Sequence, residues 1–166
     1  WENLLKTKEF DNLFDKHILF VTMTKPINGD MVVGLGSGGD VQLYKTNNKG
    51  KSFVKSGVIS TSHPSIDAKA GKFEMELSIT NPNQLFIGSI DLFVWDSINK
   101  LRQLSPNGNI SKDDHADVRF LEVLKRNGKE TIVMGNDGGV TLYDTKSKKF
   151  EGLNGYNLPT LQVYNL

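Results

Sequence analysis

The chain has 166 residues, 20 basic and 19 acidic side chains, a net charge of +1 and no cysteine. The charges are evenly mixed, so the basic stripe of a nucleic-acid-binding surface is missing, and no apolar run approaches the ~20 residues that span a bilayer. Without cysteine there is no disulfide, no thiol catalysis and no cysteine-ligated zinc.

Sixteen glycines against five prolines suit short strands joined by turns. The residues from Trp1 onward lack the charged start and apolar core of a signal peptide. His17 to Thr22 is nearly continuous in apolar character, as a strand buried on both faces would be. Met31-Val-Val-Gly34 then leads through a glycine-rich loop to Asp40, the alternating strand Val41-Gln-Leu-Tyr44 and the turn Thr46 to Phe53. Phe73, Met75, Leu77 and Ile79 alternate with polar residues, which predicts a strand with one buried face. A hairpin turn at Asn81 to Gln84 precedes Leu85-Phe-Ile-Gly88, a loop from Ser89 to Asp91, Leu92-Phe-Val-Trp95 and a turn from Asp96 to Lys100. Asn109-Ile-Ser111 is a glycosylation sequon, relevant only in a host that modifies its secreted proteins. Val118 to Leu124 is again more continuously apolar than the alternating strands, as an innermost strand would be; the hairpin Arg126 to Lys129, Ile132-Val-Met-Gly135, Asn136-Asp-Gly-Gly139 and Val140-Thr-Leu-Tyr143 follow, with a last turn before Phe150.

These elements form a repeat. Three segments share one order: apolar pair, glycine, polar loop, alternating strand, turn, strand. Gly34, Gly88 and Gly135 recur at intervals of 54 and 47 residues, the period of a four-stranded propeller blade. The expected fold is therefore all-β, with blades over 15–57, 70–106 and 116–155 and parts of two more at 1–10 and 160–166. A closed ring generally needs at least ~4 blades, so the chain reads as a slice of a larger propeller whose remainder lies outside it.

Thr46-Asn-Asn-Lys-Gly-Lys-Ser-Phe53 fits the pattern (Ser/Thr)-x-(Asp/Asn)-x-Gly-x-(Ser/Thr)-aromatic and so resembles an Asp-box. Thr46 opens the turn, Asn48 folds onto its amides, Gly50 tolerates a left-handed backbone, Ser52 bonds locally and Phe53 returns an aromatic to the sheet. The second and third turns are degenerate: Ser97 to Leu101 lacks the glycine, and Thr145 to Phe150 is two residues shorter. Together with Gly135-Asn-Asp-Gly-Gly-Val140, Asp114-His-Ala-Asp117 and Leu153-Asn-Gly-Tyr-Asn-Leu-Pro159, the box makes the chain similar to propellers of sortilin-type receptors and xyloglucanase-type glycosidases. Sialidase-like repeat proteins secreted by gliding Bacteroidetes are similar too. The resemblance implies a secreted or cell-surface protein, with scaffold, binding, receptor, type IX-exported cargo and glycosidase functions all within its range.

In such blades the loop entering the innermost strand and the loop between the second and third strands open on one face. Asp113, His115, Asp117, Asn136 and Asp137 are expected there, with Asp91 and Asp40 at matching loop positions and Tyr156 within reach. The resemblance makes Asp137 the position of a catalytic aspartate in an Asp-x-Gly-Gly setting. Asn-Asp-Gly-Gly is equally a well-formed turn, and that reading is preferred. Hydrolysis of a glycoside also needs a second carboxylate at ~5–10 Å, and neither Asp91 nor Asp40 sits in the full motif. Asp113, His115 and Asp117 have metal-binding chemistry, but with no cysteine or second nearby histidine a solvated loop is preferred. No metal or cofactor is expected. His17 and His63 are isolated; Arg102, Arg119 and Arg126 lie in three different contexts and do not form a sialidase triad. Phe86, Phe93, Trp95 and Tyr143 are assigned to packing. The preferred function is a non-catalytic scaffold, or a binder of protein or glycan on the loop face.

Overall fold

The computed structural model describes residues 20–37, 39–67, 73–105 and 117–153. The flanking segments 1–10 and 160–166, His17, the sequon, Asp113, His115 and Tyr156 lie outside the described residues. Among the described residues, twelve strands form three four-stranded antiparallel sheets, each a simple meander, and no helix occurs. Sheet A comprises β1 (Phe20–Met23), β2 (Met31–Ser37), β3 (Asp40–Thr46) and β4 (Val54–Ser60). Sheet B comprises β5 (Glu74–Leu77), β6 (Gln84–Gly88), β7 (Leu92–Asp96) and β8 (Lys100–Gln103). Sheet C comprises β9 (Phe120–Arg126), β10 (Lys129–Asn136), β11 (Gly139–Asp144) and β12 (Lys149–Gly152).

Local chemistry sets the hairpins. Asn28-Gly29 and Asn127-Gly128 both hold positive φ at the two turn positions, the geometry that matches the right-handed twist of flanking strands. The Thr46–Phe53 turn is built by its own side chains. The Gly50 N–H donates to Thr46 Oγ1 (3.1 Å), the Ser52 N–H to Asn48 Oδ1 (3.0 Å) and Asn48 Nδ2 to Ser52 Oγ (2.8 Å). Gly50 has φ of +80°, and Phe53 is fully buried against Leu35 and Tyr44.

The equivalent turns in sheets B and C use a different acceptor, one residue earlier than the degenerate boxes suggest. Asp96 Oδ1 accepts the N–H groups of Ile98 (3.0 Å) and Asn99 (2.6 Å), and Asp144 Oδ1 those of Lys146 (2.8 Å) and Ser147 (2.9 Å). Thr46, Asp96 and Asp144 each end the third strand of their sheet, so one register position carries the turn-capping oxygen three times.

The sheets stack face to face. The first strands adjoin, β1 beside β5 and β5 beside β9. One apolar layer joins Val32, Val41 and Leu43 of sheet A to Met75, Ile87 and Phe93 of sheet B; a second joins Phe86 and Val94 of sheet B to Leu121, Ile132 and Met134 of sheet C. Sheet B is thus covered on both sides. That corrects the expectation of a strand at Phe73 to Ile79 with one buried face: Glu76 and Ser78 are buried as well. The repeated glycines serve this stacking. A Cβ at Gly34 would stand 2.9 Å from Met75 Cε, and one at Gly88 only 2.5 Å from Val118 Cγ1.

Polar groups also cross between sheets. Glu130 of β10, only 6% exposed, accepts at Oε2 from Ser78 Oγ (2.7 Å) and from the N–H groups of Ile79 (2.7 Å) and Thr80 (3.2 Å) beyond β5. Near the first strands, the Lys25 N–H donates to Glu76 Oε2 (3.2 Å) and its Nζ to Glu122 Oε1 (2.7 Å). Burial holds the Glu74 and Glu76 carboxyls above the usual carboxylate range, and the hydrogen bond to Glu122 raises the Lys25 ammonium.

Candidate functional site

The loops between second and third strands and the loops leading into first strands meet at one end of the stack. Backbone hydrogen bonds lace them. The Asp117 N–H donates to the Ile90 carbonyl (2.9 Å), the Val118 N–H to Ser89 (2.7 Å) and the Ile90 N–H to Ser65 (3.2 Å). Ser89 Oγ in turn accepts the Asp67 N–H at 2.8 Å. A loop of sheet B is therefore gripped from both sides, by the loop arriving from sheet A and by the one leaving for sheet C.

Asp137 projects from the β10–β11 turn, with its side chain 34% exposed. Arg119, just before β9, places Nε 3.7 Å from Asp137 Oδ1 and Nη2 3.7 Å from Asp117 Oδ2. One guanidinium thus stands between the two carboxylates. Asp117 takes the left-handed backbone, φ +64°, where the chain turns into β9. A short polar side chain makes that conformation less costly than a branched one would.

The other candidates separate by burial. Asn136 is wholly buried: its Nδ2 donates to Thr141 Oγ1 (3.2 Å) and its Oδ1 accepts the Gly138 N–H (3.0 Å), so it braces the turn beneath Asp137. Asp91, 6% exposed, accepts from Gln103 Nε2 at 2.8 Å and faces inward. Asp40 is exposed at the β2–β3 turn, with Gly39 bound by the Thr61 N–H at 2.9 Å. His63 Nδ1 accepts the Ser65 N–H (3.2 Å), and the ring stands edge-on to Phe93 at 5.1 Å.

The three arginines do not converge. Arg119 and Arg126 bracket β9 and lie about 23 Å apart along an extended strand. Arg126 pairs with Glu151 at 3.1 Å, and Arg102 sits on β8. Among the described residues no three His, Asp or Glu side chains form a group suited to a metal ion. The sequence points to Arg119 only as one of three unlike arginines and gives no sign of its place beside Asp117 and Asp137, because a basic residue at the head of a strand carries no local mark of the turn it will meet 18 positions later.

The fold and this loop end define an all-β protein built from stacked four-stranded meanders. No protein-family model matches the chain, and no curated protein matches it either. No helix among the described residues is long and apolar enough to cross a membrane.

Proposed function

We infer that sheets A, B and C are consecutive blades of an Asp-box β-propeller, secreted or displayed at a cell surface, whose loop end binds a protein or a glycan without turning it over. The side-chain bonding of the Thr46–Phe53 turn and the adjacency of first strands favour the propeller part. The secreted or surface location rests on the motif resemblance. One observation carries the binding part: the Arg119 guanidinium stands between Asp117 and Asp137, and Asp91 is engaged by Gln103. Carboxylates committed to neighbouring groups suit a fixed polar surface that recognises hydroxyls or amides better than they suit proton transfer to a leaving group.

A glycosidase remains the second reading, and the same pair favours it. Two carboxylates bracketing one guanidinium stand no farther apart than the ~5–10 Å used in glycoside hydrolysis. The guanidinium, however, occupies the space a scissile bond would need. The deciding experiment measures binding and turnover of β-glucans and sialosides by the wild-type chain and by Asp137→Asn and Arg119→Ala. Binding that both variants weaken, with no product formed, is the expected result. Hydrolysis abolished by Asp137→Asn overturns the non-catalytic reading.

A further inference from the structure

Charges that look evenly mixed along the chain are sorted by end in the fold. The described loops of the loop end carry Asp40, Asp67, Asp91, Asp117 and Asp137 against Arg119, and no lysine is among them. The opposite end carries the lysines. There the turns of the three sheets are drawn level: Lys45 Nζ of sheet A donates to the Pro82 carbonyl of sheet B at 2.9 Å, and Glu130 of sheet C holds Ser78 and Ile79 at the start of that same connection.

The turns that leave the third strands repeat one feature. Lys49 in sheet A, Lys100 in sheet B and Lys148 in sheet C are all exposed, and all hold the left-handed backbone, with φ of 62°, 58° and 56°. Glycine or asparagine meets that conformation at lower cost, so turn geometry alone does not call for lysine. Lys51 and Lys146 stand near them and are exposed as well. Among the described residues Lys49, Lys51, Lys146 and Lys148 have no acidic partner, and the Asp96 and Asp144 carboxylates are taken up by turn amides. Between the lysines of sheets A and C stands Ile98, 85% exposed in the turn of sheet B. Sheet B already has a sheet on each side, so this exposure is not the mark of a missing neighbour.

We propose that this turn end is a docking surface for an anionic lipid membrane. Lys49, Lys51, Lys100, Lys146 and Lys148 lie over the negative headgroups, and Ile98 enters the boundary between headgroups and acyl chains. The same surface repels the acidic loop end, which turns outward and stays open to its own ligand. Nucleic acid is the poorer fit: no aromatic side chain is exposed among the described residues, so bases have no platform to stack on. An acidic polysaccharide would use the lysines and gain nothing from the isoleucine. The attraction weakens as salt rises, and each lysine contributes about fivefold in affinity. None of this depends on the chemistry of the loop end, so its failure and that of the proposed function register in different assays.

The test is cosedimentation of the 166-residue chain with phosphatidylcholine vesicles, with and without phosphatidylglycerol. Binding that requires phosphatidylglycerol and falls as salt is raised is expected. Lys146→Gln/Lys148→Gln should weaken it about 25-fold. Lys49→Gln/Lys51→Gln, in a different sheet, should do the same and replaces the first pair if that variant loses its circular-dichroism signature. Ile98→Ser should weaken binding severalfold and leave its salt dependence unchanged. Equal binding to both kinds of vesicle, binding to neither, or binding that the lysine variants leave intact overturns the proposal. Ile98→Ser binding like wild type overturns it as well, since a surface directed at any polyanion predicts that result. So does binding of heparin, a sulfated polysaccharide, without binding of the anionic vesicles.

Discussion

Removing the Glu130 carboxylate should be among the most costly single polar changes in the chain. Its Oε2 is the shared acceptor for Ser78 Oγ and for the N–H groups of Ile79 and Thr80, all from sheet B, while Glu130 itself belongs to sheet C. In Glu130→Ala, Ser78 Oγ still accepts from Thr80 and Asn81. The Ile79 N–H keeps no such substitute within the turn. Hydrogen bonds to charged groups contribute ~1.5–3 kcal/mol each, and a buried donor left unmatched costs ~1–3 kcal/mol. Because Ile79 is partly exposed and water reaches its vicinity, these contributions do not sum fully. The expected loss is about 2–4 kcal/mol, which lowers the melting temperature by roughly 5–15 °C for a chain of this size. Glu130→Gln keeps an acceptor without the charge and should lose about half as much. Urea unfolding of both variants measures this, and a double-mutant cycle with Ser78→Ala isolates the coupling across the two sheets. A Glu130→Ala variant within ~0.5 kcal/mol of wild type, the range of an ordinary surface substitution, would refute the inter-sheet clamp.

Two further outcomes follow from the turns. Gly50→Val meets no atom within 4 Å of its Cβ, so its cost is backbone strain at φ +80° alone, on the order of 1–3 kcal/mol. Phe53→Ala empties a fully buried site and should cost about 3–5 kcal/mol. Equilibrium unfolding reads both, and ligand binding by the folded population should be unchanged. The carboxyls of Asp96 and Asp144 are held below the usual carboxylate range, chiefly by backbone N–H bonds from Asn99 and Ser147 respectively. Folded pKa values below the unfolded ones give stability that is present above about pH 4 and fades as pH falls through the folded values. The Asp96→Asn/Asp144→Asn variant should therefore show a flatter acid limb in its stability profile between pH 5 and 2, roughly the window of carboxylate titration. An acid limb as steep as that of wild type would contradict the capping role.

The strands and hairpins were legible wherever the cause is local. Asn127-Gly128 signals its turn through two residues, and the Thr46 to Phe53 pattern signals its bonding through eight. The spacing of Gly34 and Gly88 revealed a repeat, although the reason for it, the approach of Met75 and Val118, comes from the neighbouring sheet. What could not be read depends on contacts between sheets. Glu130 follows Lys129 at a hairpin and looks like solvated charge, yet it is buried by a turn some fifty residues earlier. Asp91 looks like an open loop carboxylate until Gln103 of β8 closes over it. The β7–β8 turn from Asp96 to Lys100 was legible in position, but not in chemistry: Ser97 mimics the box serine, while the oxygen that accepts is on Asp96.

The central claim is that recognition occurs at the laced loop end and not at the turns on the opposite end. Amide chemical-shift mapping during titration with the β-glucan or sialoside that binds tests it most directly. The account predicts shifts at residues 63–67, 89–91, 117–119 and 137–139, with the Thr46–Phe53, Asp96–Lys100 and Asp144–Lys148 turns silent. Shifts concentrated in the Thr46–Phe53 turn, with Asp137 and Arg119 unmoved, would contradict it.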